Sequence, residues 1–143
     1  MDVHTIAFNQ EDPIQIRFND IDLLGHVNNT IIQEYFDLGR MNYLKKAFNG
    51  QLFEGEKAMI IASINTDFLM PVFMPDEIVV RTSIVGIGNK SVQMEQHLVD
   101  TKTNDLKTVC KSVLVAIDKE TQQAVEVPKD WRDRILAIEQ REM

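Results

Sequence analysis

The apolar residues of this chain change period once, and that change constrains the fold more than any other feature. Over residues 28–48, Ile31, Ile32, Tyr35, Phe36, Leu38, Met41, Leu44, Ala47 and Phe48 recur at three- and four-residue spacings, the period of an α-helix. Further on the spacing falls to two: Ile78, Val80, Thr82 and Ile84, then Val92, Met94, Gln96 and Leu98, then Val109, Val113, Val115 and Ile117. Successive strands joined by short turns are antiparallel neighbours. The pattern predicts an α+β fold with one long helix against an antiparallel sheet of about five strands. The helical stripe is wider than a surface-packed face requires, so the helix is expected to be cradled by a curved sheet.

The boundaries follow from local chemistry. Residues 1–12 read as a lead-in. Residues 13–18 read as the first strand, with Ile14, Ile16 and Phe18 on one face, and residues 19–27 as a loop. Asn28 and Asn29 are N-cap candidates, Lys45 and Lys46 suit the negative end of the helix dipole, and Asn49-Gly50 is a stop. Gly39 lies inside the helix at a cost in propensity; either a strand crosses close by or the weakness is tolerated. A polar connection over residues 51–57 leads to strands at 58–69, 77–87, 91–99 and 106–117. The turns between them are expected at 70–76, 88–90 and 100–105. A short helix from Lys129 carries Trp131, Ile135 and Ile138 near one face.

A chain of 143 residues fits one domain spanning residues 1–143, and it can bury one core. It would struggle to enclose a large ligand site alone, which favours a site shared between subunits. The net charge of −7 argues against non-specific nucleic-acid binding and against an anionic membrane surface. The single cysteine, Cys110, allows neither an intrachain disulfide nor a thiolate metal cluster. The N-terminal stretch carries Asp2, Glu11 and Asp12 and no apolar signal region, and no apolar run approaches a membrane span. A cytoplasmic protein is the resulting expectation.

Polar chemistry is concentrated in residues 17–29. Two acids, Asp20 and Asp22, stand with Gly25, His26, Asn28 and Asn29 just before the helix. A loop that feeds a helix N-terminus can hold a carboxylate beside free backbone N–H groups. Acyl-transfer chemistry uses that pairing, a base or nucleophile with donors for an oxyanion. Calcium binding fails on spacing: counting from Asp20, an EF-hand needs ligands where Leu24 and Ile31 stand. Zinc fails for want of further His or Cys ligands, so no metal and no cofactor is expected.

The string Asp20-Ile21-Asp22-Leu23-Leu24-Gly25-His26-Val27-Asn28-Asn29 resembles the D-x-D-x-x-G-H-V-N-N loop of the 4-hydroxybenzoyl-CoA thioesterase branch of the hot-dog superfamily. Glu34-Tyr35-Phe36 with Arg40, Thr66-Asp67-Phe68-Leu69-Met70-Pro71, Gly88-Asn89-Lys90-Ser91 and Val115-Ala116-Ile117-Asp118 resemble its following pieces in order, over about residues 13–130. The resemblance implies a long helix wrapped by a sheet, a homodimer or tetramer with active sites at the dimer interface, and hydrolysis of an acyl-CoA thioester.

It also implies roles. Asp22 matches the catalytic carboxylate, which attacks the thioester carbonyl or activates the water that does. Asn29 stands where some members carry a histidine, and is expected to act through its backbone N–H. His26 matches a loop-shaping residue and is a lesser catalytic candidate; Asp20 is expected to support the loop. Ile32 departs from the Tyr frequent in close relatives. Lys90 and Ser91 match the coenzyme A-contacting hairpin, with Arg81 and Lys111 as weaker phosphate candidates. Phe68, with Met59, Met70 and Phe73, is a candidate for an apolar acyl pocket. Two alternatives stand beside this reading: a thioesterase for acyl-carrier protein, which needs a local basic docking patch, and a non-catalytic acyl-thioester binding module. A dehydratase is disfavoured because spacing reveals no acidic partner for a histidine in the central strands.

Overall fold

The structure is a computed structural model and describes residues 6–49 and 55–143. Its elements are β1 (Gln10–Pro13), a 3-10 turn (Phe18–Asp20), α1 (Asn29–Phe48), β2 (Lys57–Phe68), β3 (Ile78–Ile87), β4 (Ser91–Asp100), β5 (Asp105–Asp118) and α2 (Lys129–Glu139). Five antiparallel strands form one sheet in the order β1-β3-β4-β5-β2. The helix α1 packs over β3 and β4 and against α2. This is the α+β arrangement that the change of period predicts.

The helix boundaries are set by side chains. The Asn28 carboxamide accepts from the Thr30 N–H at 2.8 Å, a standard N-cap. At the far end Asn49 takes a left-handed conformation and its N–H reaches the Lys45 carbonyl. The mid-helix Gly39 has a packing cause: a Cβ there would lie 2.5 Å from Val80 Cγ1. A strand crosses close by, and only glycine leaves room for it. Beneath the helix the core falls into two clusters. One surrounds Tyr43, Phe48, Ile84, Met94, Leu114 and Ile135, with Trp131 and Ile138 packed on it. The other surrounds Val27, Ile32, Phe36, Val72, Val80 and Leu98 beside the polar loop.

Three expectations change. The first strand covers Gln10–Pro13 and not 13–18, so Glu11 and Asp12 belong to the sheet and not to a lead-in. After the Ile14 N–H bonds the Ile78 carbonyl, the chain peels away. Ile14 and Ile16 still face the core, which explains their alternation, but Phe18 points outward at 84% exposure. The Asp20 carboxylate accepts the Arg17 N–H at 3.0 Å and winds that segment into a 3-10 turn. Secondly, β2 and β3 are not neighbours: β2 lies on the far edge against β5, so residues 69–77 cross the end of the sheet and do not form a simple turn. Thirdly, His97 does have an acidic partner in a central strand, Glu95 at 2.7 Å. The two share one face of β4, with Phe8 against His97. Their neighbours Met94, Gln96 and Leu98 point to the opposite, buried face under α1. The pair is therefore turned away from the helix and gives a dehydratase no site. Most of the connection at 51–57, and the residues before Ile6, including His4, lie outside the described residues.

Candidate active site

The polar loop is a closed hairpin. Ile21 and Val27 form an isolated bridge, the Asp22 N–H bonds the His26 carbonyl at 3.1 Å, and the Gly25 N–H bonds the Asp22 carbonyl at 3.0 Å. Gly25 has φ of +88°, a conformation that side chains resist. The loop is fastened on two sides. Asp20 is buried; its carboxylate accepts from the Tyr35 hydroxyl at 2.5 Å and its carbonyl from the Asn28 N–H at 2.9 Å. Burial first, and then that bond to Asp20, raise the Tyr35 phenol above its ordinary range. The Val27 N–H donates to the Val72 carbonyl at 2.8 Å, tying the loop to the crossing segment.

Asp22 is half-buried at the root of this hairpin. One carboxylate oxygen accepts the Leu24 N–H at 2.9 Å, and the other accepts Asn28 Nδ2 at 3.2 Å. A carboxylate has about four acceptor sites, so these two bonds fix its orientation and leave lone pairs available. Asn28 thus has two tasks: it caps α1 and it holds Asp22 beside the helix start. With Thr30 capped, the Asn29 N–H has no intramolecular acceptor among the described residues. It stands at the positive end of the helix dipole.

A cavity of ≈ 330 Å³ opens next to this N-terminus, lined by His26, Val27, Asn29, Ile32 and Phe68 and by residues 69–72 of the crossing segment. Three candidates therefore meet on one cavity: His26, Asn29 and Phe68. Asp22 does not line it and connects to it through Asn28. His26 forms part of the wall, with Nδ1 3.3 Å from the Val27 carbonyl and its ring edge-on to Phe73. Of the other apolar candidates, Met70 lines the cavity, whereas Met59 belongs to the distant core cluster. Cys110 is buried, and burial raises its thiol above the usual range, consistent with a small core residue. Arg81 is paired with Glu11 at 2.9 Å.

Lys90 and Ser91 are elsewhere. Their hairpin is closed by Gly88 N–H to Ser91 carbonyl at 2.7 Å and held by Arg132 from α2. Ser91 pairs with Val115, near the Lys57 end of β2, whereas Phe68 pairs with Thr108, which also pairs with Leu98. From Ser91 to Leu98, β4 runs roughly 23 Å at about 3.3 Å per residue. Within one chain the hairpin and the cavity occupy opposite ends of the sheet.

One contributor carries no sequence signal. Lys107 is buried; its ammonium donates to the Pro71 carbonyl at 3.0 Å, approaches Asp76 at 3.4 Å and lies over the Phe73 ring. Its own carbonyl accepts the N–H groups of Leu69 and Met70 at 2.9 and 3.0 Å. It pins the cavity wall, yet nothing in its spacing sets it apart from a solvated strand lysine. Among the described residues no three or more His, Cys, Asp or Glu side chains gather to hold a metal ion, and no helix is long and apolar enough to cross a membrane.

Known proteins match this arrangement. A thioesterase from Thermus thermophilus, solved with coenzyme A and Zn, is 30% identical, with a TM-score of 0.85 over 95% of this chain and 98% of that one. A 1,4-dihydroxy-2-naphthoyl-CoA thioesterase from Synechocystis, at 16% identity, shares the fold with a TM-score of 0.78 over 88% of this chain and 94% of that one. The protein YsmA of Bacillus subtilis (strain 168) is 24% identical over 91% of this chain and 87% of its own length. The family model for the thioesterase-like superfamily matches residues 16–135. That span runs from the buried Ile16 through the polar loop, the long helix and the sheet to α2, and the chain accordingly belongs to the thioesterase-like superfamily, as a thioester hydrolase of the hot-dog fold.

Proposed function

We propose that the protein hydrolyses an acyl-CoA thioester to the free acid and coenzyme A, with Asp22 as the reacting carboxylate. The observation that carries this reading is the Asn28 bridge. One side chain caps the helix and orients Asp22, so the carboxylate and the free Asn29 N–H are placed by the same residue. In the proposed step the acyl group enters the cavity and the thioester carbonyl stays at its rim, with its oxygen toward the Asn29 N–H and its carbon toward Asp22. Asp22 then attacks the carbonyl carbon, or removes a proton from the water that does. The thiolate of coenzyme A leaves in either route; in the first, water then cleaves the acyl–Asp22 anhydride to release the acid and restore the carboxylate. Removing one oxyanion donor of this kind costs roughly 2.7–4 kcal/mol of transition-state stabilisation in other enzymes. His26 shapes the wall and Phe68 packs on the acyl group.

The active unit in this reading is at least a homodimer. β2 is an edge strand exposed over nearly its whole length, with Ile60, Ile61 and Ile64 at 45%, 41% and 45%. An exposed apolar edge is a template for another strand. Pairing β2 with its own copy about a two-fold axis is antiparallel, which sets the Lys57 end of one copy beside the Phe68 end of the other. The partner's Lys90 and the partner's Ser91 then approach the cavity, where a lysine suits a coenzyme A phosphate. This accounts for the separation of hairpin and cavity within one chain.

A thiol-release screen over aliphatic and aromatic acyl-CoAs, with the matching acyl-carrier-protein thioesters alongside, tests the assignment. Release from the coenzyme A series is expected. Release from carrier-protein thioesters alone would move the assignment to the other carrier, and binding without release would make the protein a binding module.

A further inference from the structure

We infer that the hydrogen bond between Gln33 and Thr66 is the end wall of the acyl site and restricts it to short acyl groups. The inference rests on the acyl-CoA reading above and adds the size class of its substrate.

The cavity of ≈ 330 Å³ is small, near the lower end of the roughly 300–1,000 Å³ typical of ligand sites. Ile32 of α1 and Phe68 of β2 both line it. Next to them in the chain, though not among the lining residues, Gln33 Nε2 donates to Thr66 Oγ1 at 2.8 Å, and both side chains are half-buried. Gln33 follows Ile32, and Thr66 lies two residues before Phe68, on the same face of the strand. Among the described residues this is the only side-chain hydrogen bond from α1 to β2. The Thr66 side chain also meets the Cys110 thiol in the strand behind it, which holds it in place.

Exposed surface continues past this bond. α1 packs chiefly over β3 and β4, and the Thr66 half of β2 is more open than the half that holds the buried Met59. Beyond Thr66, Ile64 on the same face is 45% exposed, and Asp37, one helical turn past Gln33, is exposed as well. The bond therefore spans from α1 to β2 between the cavity lining and exposed surface. An apolar chain long enough to reach it must break it and leave an amide and a hydroxyl unpaired against hydrocarbon, which is unfavourable. Shorter chains fill the space between Ile32, Phe68 and the loop without touching it.

S-alkyl-CoA thioethers, which cannot be hydrolysed, separate the wall from the catalysis. Calorimetric affinities are measured for the butyl, hexyl, octyl, decyl and dodecyl series. In the native protein affinity is expected to rise by up to about fourfold per methylene and then stop within the series. In the Gln33→Ala/Thr66→Ala double variant the limit moves to longer chains, with a gain of roughly tenfold or more for the first chain past it. Butyl-CoA affinity stays as in the native protein, which also verifies folding, and Thr66→Ser keeps the native limit. The same limit in both proteins, a native affinity that climbs through dodecyl, or no binding of any thioether overturns the proposal. A limit that moves as expected, with no thiol released from any acyl-CoA, leaves the wall standing and removes the hydrolytic reading instead.

Discussion

Asn28 is the residue on which the loop and the helix both depend. Its carboxamide caps α1 through the Thr30 N–H and holds Asp22 through Nδ2. Loss of an N-cap costs about 1 kcal/mol, so Asn28→Ala is expected to lower stability by that amount in urea unfolding. Its turnover is expected to fall by more than tenfold, because Asp22 loses its orientation as well. Asp20 and Tyr35 act in the same region through burial. The Tyr35 phenol, like the Tyr43 phenol bonded to Glu139 at 2.5 Å, is held above its ordinary value chiefly by burial. A raised phenol keeps its proton in the folded chain while the unfolded chain loses it above about pH 10. The contribution is thus full below that pH and is lost above it, by about 1.4 kcal/mol per pH unit for each tyrosine. Urea midpoints at rising alkaline pH are expected to fall less steeply for Tyr35→Phe and Tyr43→Phe. At this scale the sequence singled out the loop as the candidate site, because two acids, a histidine and two asparagines crowd one short segment, and the structure places two of its candidates, His26 and Asn29, with Phe68 on one cavity. The sequence did not reveal Lys107, since a buried lysine and a solvated one have the same spacing.

At the scale of elements, α1 is placed by contacts that one chain's periodicity encodes only in part. The wide stripe showed a cradled helix, and the cause of Gly39 became visible only in the crossing strand. Val80 leaves no room for a methyl group there. Gly39→Ala is expected to destabilise by roughly 1–3 kcal/mol through overpacking, despite its gain in helix propensity, and thermal or urea unfolding checks the sign. The first strand ends where the apolar alternation begins, for a physical reason. Ile14 and Ile16 alternate because they face the core, but burial does not require ladder hydrogen bonds, and β1 stops pairing at Pro13. The crossing segment was equally hidden. Pro71 and Pro75 announce a turn, yet only tertiary contacts, Val27 to Val72 and Lys107 to Pro71, carry the chain across the sheet end to become a cavity wall.

At the scale of the whole molecule, two facts need each other. β2 is an exposed apolar edge, and the Lys90–Ser91 hairpin lies at the end of the sheet opposite the cavity of the same chain. In the proposed dimer, a two-fold pairing through β2 would account for both. Ile61→Lys and Ile64→Lys together are expected to halve the mass seen by light scattering and to raise the KM for acyl-CoA. A native mass with unchanged KM would exclude β2 as the interface. The most direct test of the central claim is turnover of Asp22→Asn on the acyl-CoA that the native protein cleaves fastest, with the mass of the assembly measured on the same sample. The account predicts an unchanged mass and a loss of roughly a hundredfold or more in kcat. Native turnover from Asp22→Asn would contradict it.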